Sequence, residues 1–184
     1  MCNEWQQERA WRDYCEMMQR EALDIQSPEP PELPFGSLRP SDLAPIVRAA
    51  PGGSRLDLVP WGWPGRDSKG IIINVRGETR RDPPAARGIA PFAAFYEFGE
   101  GKAPKPKFRF TPAVNEPLAL AVVIRDGRYV LATTEPCDEV KTVHHRMPAV
   151  IRAGDWRRYL TEPAFPRDLM EPPPARIIRS TQVR

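Results

Sequence analysis

Apolar residues recur along this chain with two periods. Between Gln6 and Leu23, the residues Trp11, Cys15, Met18 and Ala22 fall three or four apart, with Glu, Arg and Gln between them, which predicts an amphipathic helix. Further on the period shortens. Arg55–Pro60 alternates polar and apolar positions, Ile71–Val75 is a short β-branched run, and Ile89–Phe98 carries aromatic residues; each predicts a strand. So do Lys107–Thr111 and Met147–Ile151. Leu118–Arg125 and Tyr129–Thr134 flank Asp126-Gly127, the strongest hairpin signal in the chain. Cys137–Val143 and Gly154–Leu160 are long enough only for short helices. Ser27–Pro34 is a linker, Ser37–Pro45 a turn-rich connection, and Trp61–Gly70, Arg80–Gly88 and Gly99–Pro106 are loops. From Pro163 onward no period survives, which predicts an extended arm. A helix followed mainly by strands predicts an α+β fold with a curved, mainly antiparallel sheet system.

Composition narrows this picture. A length of 184 residues fits one domain. The 23 prolines exclude a mostly helical bundle and favour short strands joined by loops. The longest apolar run, Leu118 to Ile124, has strand length, so no membrane span is expected, and the N-terminus lacks a charged-then-apolar signal pattern. Three cysteines form no disulfide framework and point to a reducing, cytoplasmic compartment. Charge is uneven on a chain of net +3. Residues 1–32 carry eight acids and three bases, whereas Lys102, Lys105, Lys107 and Arg109 follow one another with no acid between them. Lys141, Arg146, Arg152, Arg157 and Arg158 form a second basic stretch, and residues 66–87 hold a third. Such clusters read either as one face for a polyanion or as an ordinary solvated surface.

Four residues stand out chemically. Cys2 follows the initiator Met, and loss of that Met leaves a 1,2-aminothiol. Its amine and thiol titrate near ~8 and ~8.5, so both are partly nucleophilic at neutral pH. The amine condenses with an aldehyde, and the thiol closes a five-membered ring on the same carbon. A frayed terminus with an incidental cysteine is the plainer reading. Glu97 lies among aromatic residues in FYEF, where a raised pKa would suit acid–base work; an edge strand facing solvent is the alternative. Asn74 opens NVRGET at the end of an apolar strand, where Asn is most often a turn former. His144 and His145 are the two histidines, and a buried, hydrogen-bonded loop histidine is the bland account. No spacing joins histidines and cysteines into a metal site, and no cofactor motif or internal repeat is present.

Taken in order, Met-Cys, Pro-Trp-Gly, Asn-x-Arg-x-Glu-Thr, aromatic-Tyr-Glu-aromatic, Thr-Thr and Val-His-His-Arg-Met-Pro resemble the SRAP family, the SOS-response-associated peptidases that crosslink to abasic sites in single-stranded DNA. The resemblance runs from Cys2 to about Leu160, and it implies a single domain over residues 1–162 with a Pro/Arg-rich arm at 163–184. It implies a compact α+β fold with a β-barrel-like core, an N-terminal helix and a few short helices. It implies Cys2 as covalent nucleophile, Asn74 orienting the amine or sugar, Glu97 moving protons and His144 as the fourth catalytic residue. Arg76 would meet phosphate, with Arg146, Lys105 and Lys107 beside it and Trp61 and Trp63 stacking on bases. The implied partner is abasic single-stranded DNA, met by a monomer in the cytoplasm or on the nucleoid. The implied activity is that of a cysteine peptidase acting on Met1, with DNA crosslinking and lyase-type chemistry. The sequence departs from the family where Cys-Gly-Arg becomes Cys2-Asn3-Glu4, placing an acid where a phosphate-contacting arginine would stand. Instead of paired tryptophans before the Asn motif, the loop holds Trp61 and Trp63 earlier, then Arg66 and Lys69. Shortened loops read as a compact, phage-like or plasmid-like branch. A non-covalent single-strand binder that has lost the chemistry remains the competing expectation.

Overall fold

The computed structural model describes residues 2–65 and 70–184, so Arg66 and Lys69 lie outside the described residues. In chain order its strands are β1 (Trp5–Gln7), β2 (Gly36–Leu38), β3 (Leu43–Ala50), β4 (Gly53–Pro60), β5 (Trp63–Pro64), β6 (Ile71–Ile72), β7 (Asn74–Arg76) and β8 (Arg87–Pro91). They continue with β9 (Ala94–Phe98), β10 (Lys107–Pro112), β11 (Leu118–Arg125), β12 (Arg128–Thr134), β13 (Met147–Pro148), β14 (Val150–Arg152) and β15 (Ile178–Gln182). The helices are α1 (Trp11–Arg20), α2 (Asp138–Lys141) and α3 (Trp156–Thr161).

Strands β15-β10-β9-β1-β2 form one sheet, and β13-β12-β11-β8-β3-β4 another, with β14 on β11 and β7 on β12. Strands β5 and β6 make a separate two-stranded ribbon. All named pairings are antiparallel except that of β7 with β12. The α+β class is therefore as expected. The β-barrel-like core is not: among the described residues neither sheet returns to its first strand, and the molecule is built of open sheets.

The run LALAVVI is unbroken because both faces of β11 are covered. Leu118, Leu120, Val122 and Ile124 pack with Trp5, Phe95 and Phe110 of the five-stranded sheet. Ala119, Ala121 and Val123 pack with Tyr14 and Met18 of α1 and with Trp156, Tyr159 and Leu160 of α3. Alternation along the strand thus divides one apolar run between two layers. Each fully buried leucine or valine stabilises the fold by about 1.5–3 kcal/mol. The turn after β11 places both Asp126 (φ 49°) and Gly127 (φ 70°) in the left-handed region, as a two-residue type I′ hairpin requires. Gly88 lets β8 lie close beneath its neighbours: a Cβ there would meet Ile46 Cγ2 at 2.7 Å.

Several boundaries differ from the periodicity. The expected helix from Gln6 begins only at Trp11, because Trp5–Gln7 pairs with β2 and β9. Leu43–Ala50 is a strand where a turn-rich connection was expected to run as far as Pro45; its Pro45 and terminal alanines blur the alternation. The single strand expected over Ile89–Phe98 is two, belonging to different sheets. Residues 163–184 carry a 3-10 turn at Arg167–Met170 and end in β15, which pairs with β10 from Ile178 to Gln182. No helix among the described residues is long and apolar enough to cross a membrane.

Candidate active site

The site is built where the start of the chain meets β9, β7 and the segment after α2. Strand β1 lies between β9 and β2, in register with Trp5 opposite Phe95 and Leu38. Cys2, just ahead of it, is fully buried. Its thiol donates to the Glu4 carbonyl at 3.3 Å, and the same carbonyl accepts Tyr96 N–H at 3.0 Å. Burial, and then the nearby Glu97 carboxyl, push the Cys2 thiol far up from its ordinary value. In this arrangement it is a protonated thiol that needs a base.

Asn74 reaches that residue directly. Its side-chain N–H donates to the Cys2 carbonyl at 2.8 Å, and β7 is held for the purpose by its pairing with β12, Asn74 opposite Leu131. The Asn74 Oδ1 is buried and has no hydrogen-bond partner among the described residues. Glu97 stands two residues from Phe95 on the inward face of β9 and is 1% exposed. Burial raises its pKa to about 7, against a smaller lowering by the Cys2 backbone N–H. A carboxyl poised there exchanges protons in either direction near neutral pH.

His144 follows α2, and its N–H bonds the Val140 carbonyl. Its Nδ1 lies 3.1 Å from the Arg146 amide nitrogen and 3.0 Å from the Arg146 carbonyl oxygen. The neutral ring accepts from the first and the protonated ring donates to the second, so either charge state keeps its orientation. Burial lowers its pKa below the ordinary histidine value. His145 stacks on it with centroids 4.4 Å apart. Glu97 and His144 both line one open cleft of about 1130 Å³, into which Asn3 also faces.

The expected phosphate-binding and stacking residues fall into two groups. Arg76 and Lys105 are exposed and line the cleft, together with Lys141. Lys107 and Arg146 are engaged. Lys107 Nζ bonds both oxygens of the buried Glu4 carboxylate at 2.8 and 2.9 Å and sits 4.3 Å above the Tyr96 ring. Arg146 bonds Glu78 through two nitrogens at 2.7 and 2.9 Å and also the Thr133 carbonyl at 2.7 Å. Burial alone would raise the Glu78 pKa, but the Arg146 bonds outweigh it and hold the carboxyl below its usual range. Trp61 and Trp63 correct the sequence expectation. Trp61 is fully buried, donates to the Ile73 carbonyl at 3.0 Å and stacks on Tyr129. Trp63 donates to the Arg128 carbonyl and is capped by Arg125 at 4.1 Å. An indole with both its edge and its faces used has nothing left to stack on a base.

Sequence reasoning did not single out Tyr129. Its hydroxyl accepts Trp5 Nε1–H at 3.0 Å, and burial pushes its pKa up, with the Cys2 sulfur among the smaller contributors. The available signal was its parity with Leu131 on the inward face of β12. Among the described residues, no group of three or more His, Cys, Asp or Glu is arranged to hold a metal ion.

The family model for SOS response associated peptidase (SRAP) matches residues 1–184. The chain belongs to the SRAP family. Membership supports a DNA-damage-associated function and implies interaction with DNA. Crystal structures with the same SRAP-type architecture include a protein from Bordetella bronchiseptica that is 24% identical, with TM-score 0.74 over 100% of both chains. A phage-related protein from the same organism is 18% identical, with TM-score 0.71 over 100% of this chain and 94% of that one. A protein from Bacteroides thetaiotaomicron is 16% identical, with TM-score 0.67 over 97% and 84%. At these identities the likeness is one of fold. No curated protein matches the chain in sequence.

Proposed function

We propose that this SRAP protein captures the ring-opened aldehyde of an abasic site in single-stranded DNA as a thiazolidine on Cys2, after removing Met1 by hydrolysis of the Met1–Cys2 peptide bond. The observation that carries this reading is the hydrogen bond of the half-buried Asn74 to the Cys2 carbonyl beside the buried Glu97. Asn74 holds the residue, Glu97 supplies and takes protons, and the cleft rim offers Arg76 and Lys105 to phosphates.

Hydrolysis of the Met1–Cys2 bond consumes one water and releases methionine; the capture step that follows releases water as its only small product. The freed Cys2 amine adds to the aldehyde carbon, and Glu97 in its acid form protonates the departing hydroxyl, which leaves as water. The resulting iminium carbon is attacked by sulfur; the thiol proton passes to Glu97 and restores its acid form, while the ring nitrogen keeps the proton it already carries. Positioning by Asn74 and proton transfer by Glu97 are the two rate contributions this geometry favours. His144, which lines the same cleft, serves the sugar side of the reaction or its reversal. The imine also permits β-elimination, which is the lyase-type outcome.

The deciding experiment incubates the protein with abasic and intact single-stranded oligonucleotides and reads a denaturing gel alongside the intact mass. A heat-stable adduct on the abasic strand alone, from protein lacking Met1, is the expected result. Binding without an adduct, from protein retaining Met1, would instead make it a non-covalent single-strand binder.

A further inference from the structure

Residue 4 of this chain is an acid that is only 6% exposed, a costly placement unless its charge is matched. It is matched three ways. Lys107 bonds both carboxylate oxygens, Ser37 Oγ donates to Oε1 at 3.0 Å, and Arg39 lies 3.7 Å from Oε2. Lys107 is itself held over the Tyr96 ring. The side chain of Glu4 therefore ties the entry of β1 to β10, across β9. Its main chain does something different: the Glu4 carbonyl accepts both the Cys2 thiol and the Tyr96 amide. One residue is gripped by its carboxylate and grips the nucleophile with its carbonyl.

We propose that Glu4 is a positioning residue for Cys2, with Lys107 as its anchor. The Glu4–Lys107 pair fixes the carbonyl that sets the direction of the Cys2 thiol and keeps that thiol buried until substrate arrives. The same pairing withdraws Lys107 from phosphate binding, so this basic group serves geometry instead of affinity. This rests on the reading of Cys2 as nucleophile, and it makes a separate demand: reactivity and strand affinity must move in different directions when the pair is broken.

The test uses full-length Glu4→Gln, Lys107→Met and Lys107→Arg proteins, with thermal melting to confirm folding. Three quantities are measured: the crosslinking rate on saturating abasic strand, the affinity for intact strand, and the rate at which iodoacetamide alkylates Cys2, read on the N-terminal peptide by mass spectrometry. Glu4→Gln and Lys107→Met should each slow crosslinking by on the order of 10- to 100-fold, the size expected for a displaced nucleophile. Alkylation of Cys2 should accelerate as the thiol is released. Affinity for intact strand should hold or rise in Glu4→Gln, since Lys107 is freed. Lys107→Arg, whose guanidinium still spans to Glu4, should recover most of the rate lost in Lys107→Met. Wild-type crosslinking and alkylation rates in both pair-breaking variants would overturn the proposal. So would parallel loss of rate and affinity, which would make the pair a general support of the fold. If the wild type forms no adduct at all, the covalent function fails while the alkylation rates still decide whether Glu4 positions Cys2.

Discussion

The two faces of β11 lead to different worlds. Toward the helices, Ala119, Ala121 and Val123 meet a layer of methionine, tryptophan, tyrosine and leucine; among the described residues the buried carboxyls, Glu4 and Glu97, belong to the five-stranded sheet and its entry instead. Toward the five-stranded sheet, Leu120 and Val122 share their layer with Cys2, and that layer borders the buried Glu97 and the Asn74 amide. The same sheet thus has a face that is only packed and a face that ends in reactive groups. Stability and reactivity sit on opposite sides of it and should respond to different substitutions.

The largest effect expected is on the reactive side. Cys2→Ser should abolish the heat-stable adduct with abasic strand, since oxygen closes the ring far less readily than sulfur, while a borohydride-trappable imine persists; gel analysis with and without reductant checks both. The melting temperature should barely move. Glu97→Gln should come next, slowing crosslinking by about 10²–10⁴-fold in a rate time course, with little change in binding of intact strand.

Glu97 also offers a pH test. Its pKa rises on folding from 4.5 to about 7, chiefly through burial. The folded protein therefore holds a proton that the unfolded chain gives up. That contribution to stability is complete below about pH 4.5 and is lost as pH rises through about 7. Chemical denaturation across this window should show wild-type stability falling relative to Glu97→Gln, whose curve lacks the step. An identical slope in both would mean that this carboxyl is not buried as described.

On the packed side, Leu160→Ala should cost about 2–5 kcal/mol in urea unfolding but leave the crosslinking rate of the folded fraction alone. A rate falling in step with stability would break the separation between faces. Smaller again is Glu78→Gln, which loosens Arg146 around His144 and should slow crosslinking by about tenfold without altering strand affinity. The smallest effect belongs to Arg76→Ala. It should reduce the slope of log affinity against log salt by about 0.7, the share of one phosphate contact on a single strand.

The packed face was legible in the sequence because periodicity reports burial directly. LALAVVI and the Asp-Gly turn read correctly in type, and α1 is a helix as expected, but its buried residues are Tyr14, Met17 and Met18, while Trp11 and Cys15 are half-buried and Ala22 lies exposed beyond its end. The partition of Ile89–Phe98 between two sheets was hidden, since a strand switching sheets keeps its apolar pattern while its partners change. The site was only partly legible. Asn74, Glu97 and Cys2 carry side chains whose chemistry stands out by type, and the family motif order singled them out. What each basic or aromatic group does depends on its neighbour across the fold. Lys107 and Arg146 look like phosphate ligands until Glu4 and Glu78 are seen beside them. Trp61 looks like a stacking platform until Tyr129 covers it. Partners separated by dozens of residues leave no mark in local composition.

The place of β1 inside its sheet has a consequence for synthesis. Cys2 is made well before its partners: Trp5 finds Phe95, and Asn74 finds Cys2, only when those later segments exist. At ordinary translation speeds of roughly 5–20 residues per second, the growing chain carries its thiol for several seconds or longer before Glu97 and His144 emerge. Throughout that interval the cysteine is an ordinary one on an unstructured end, with no neighbouring carboxyl to move its protons. The reactive group is made early and placed late, so the nascent chain carries its thiol exposed, without the burial that raises its pKa or the carboxyl that moves its proton in the finished fold.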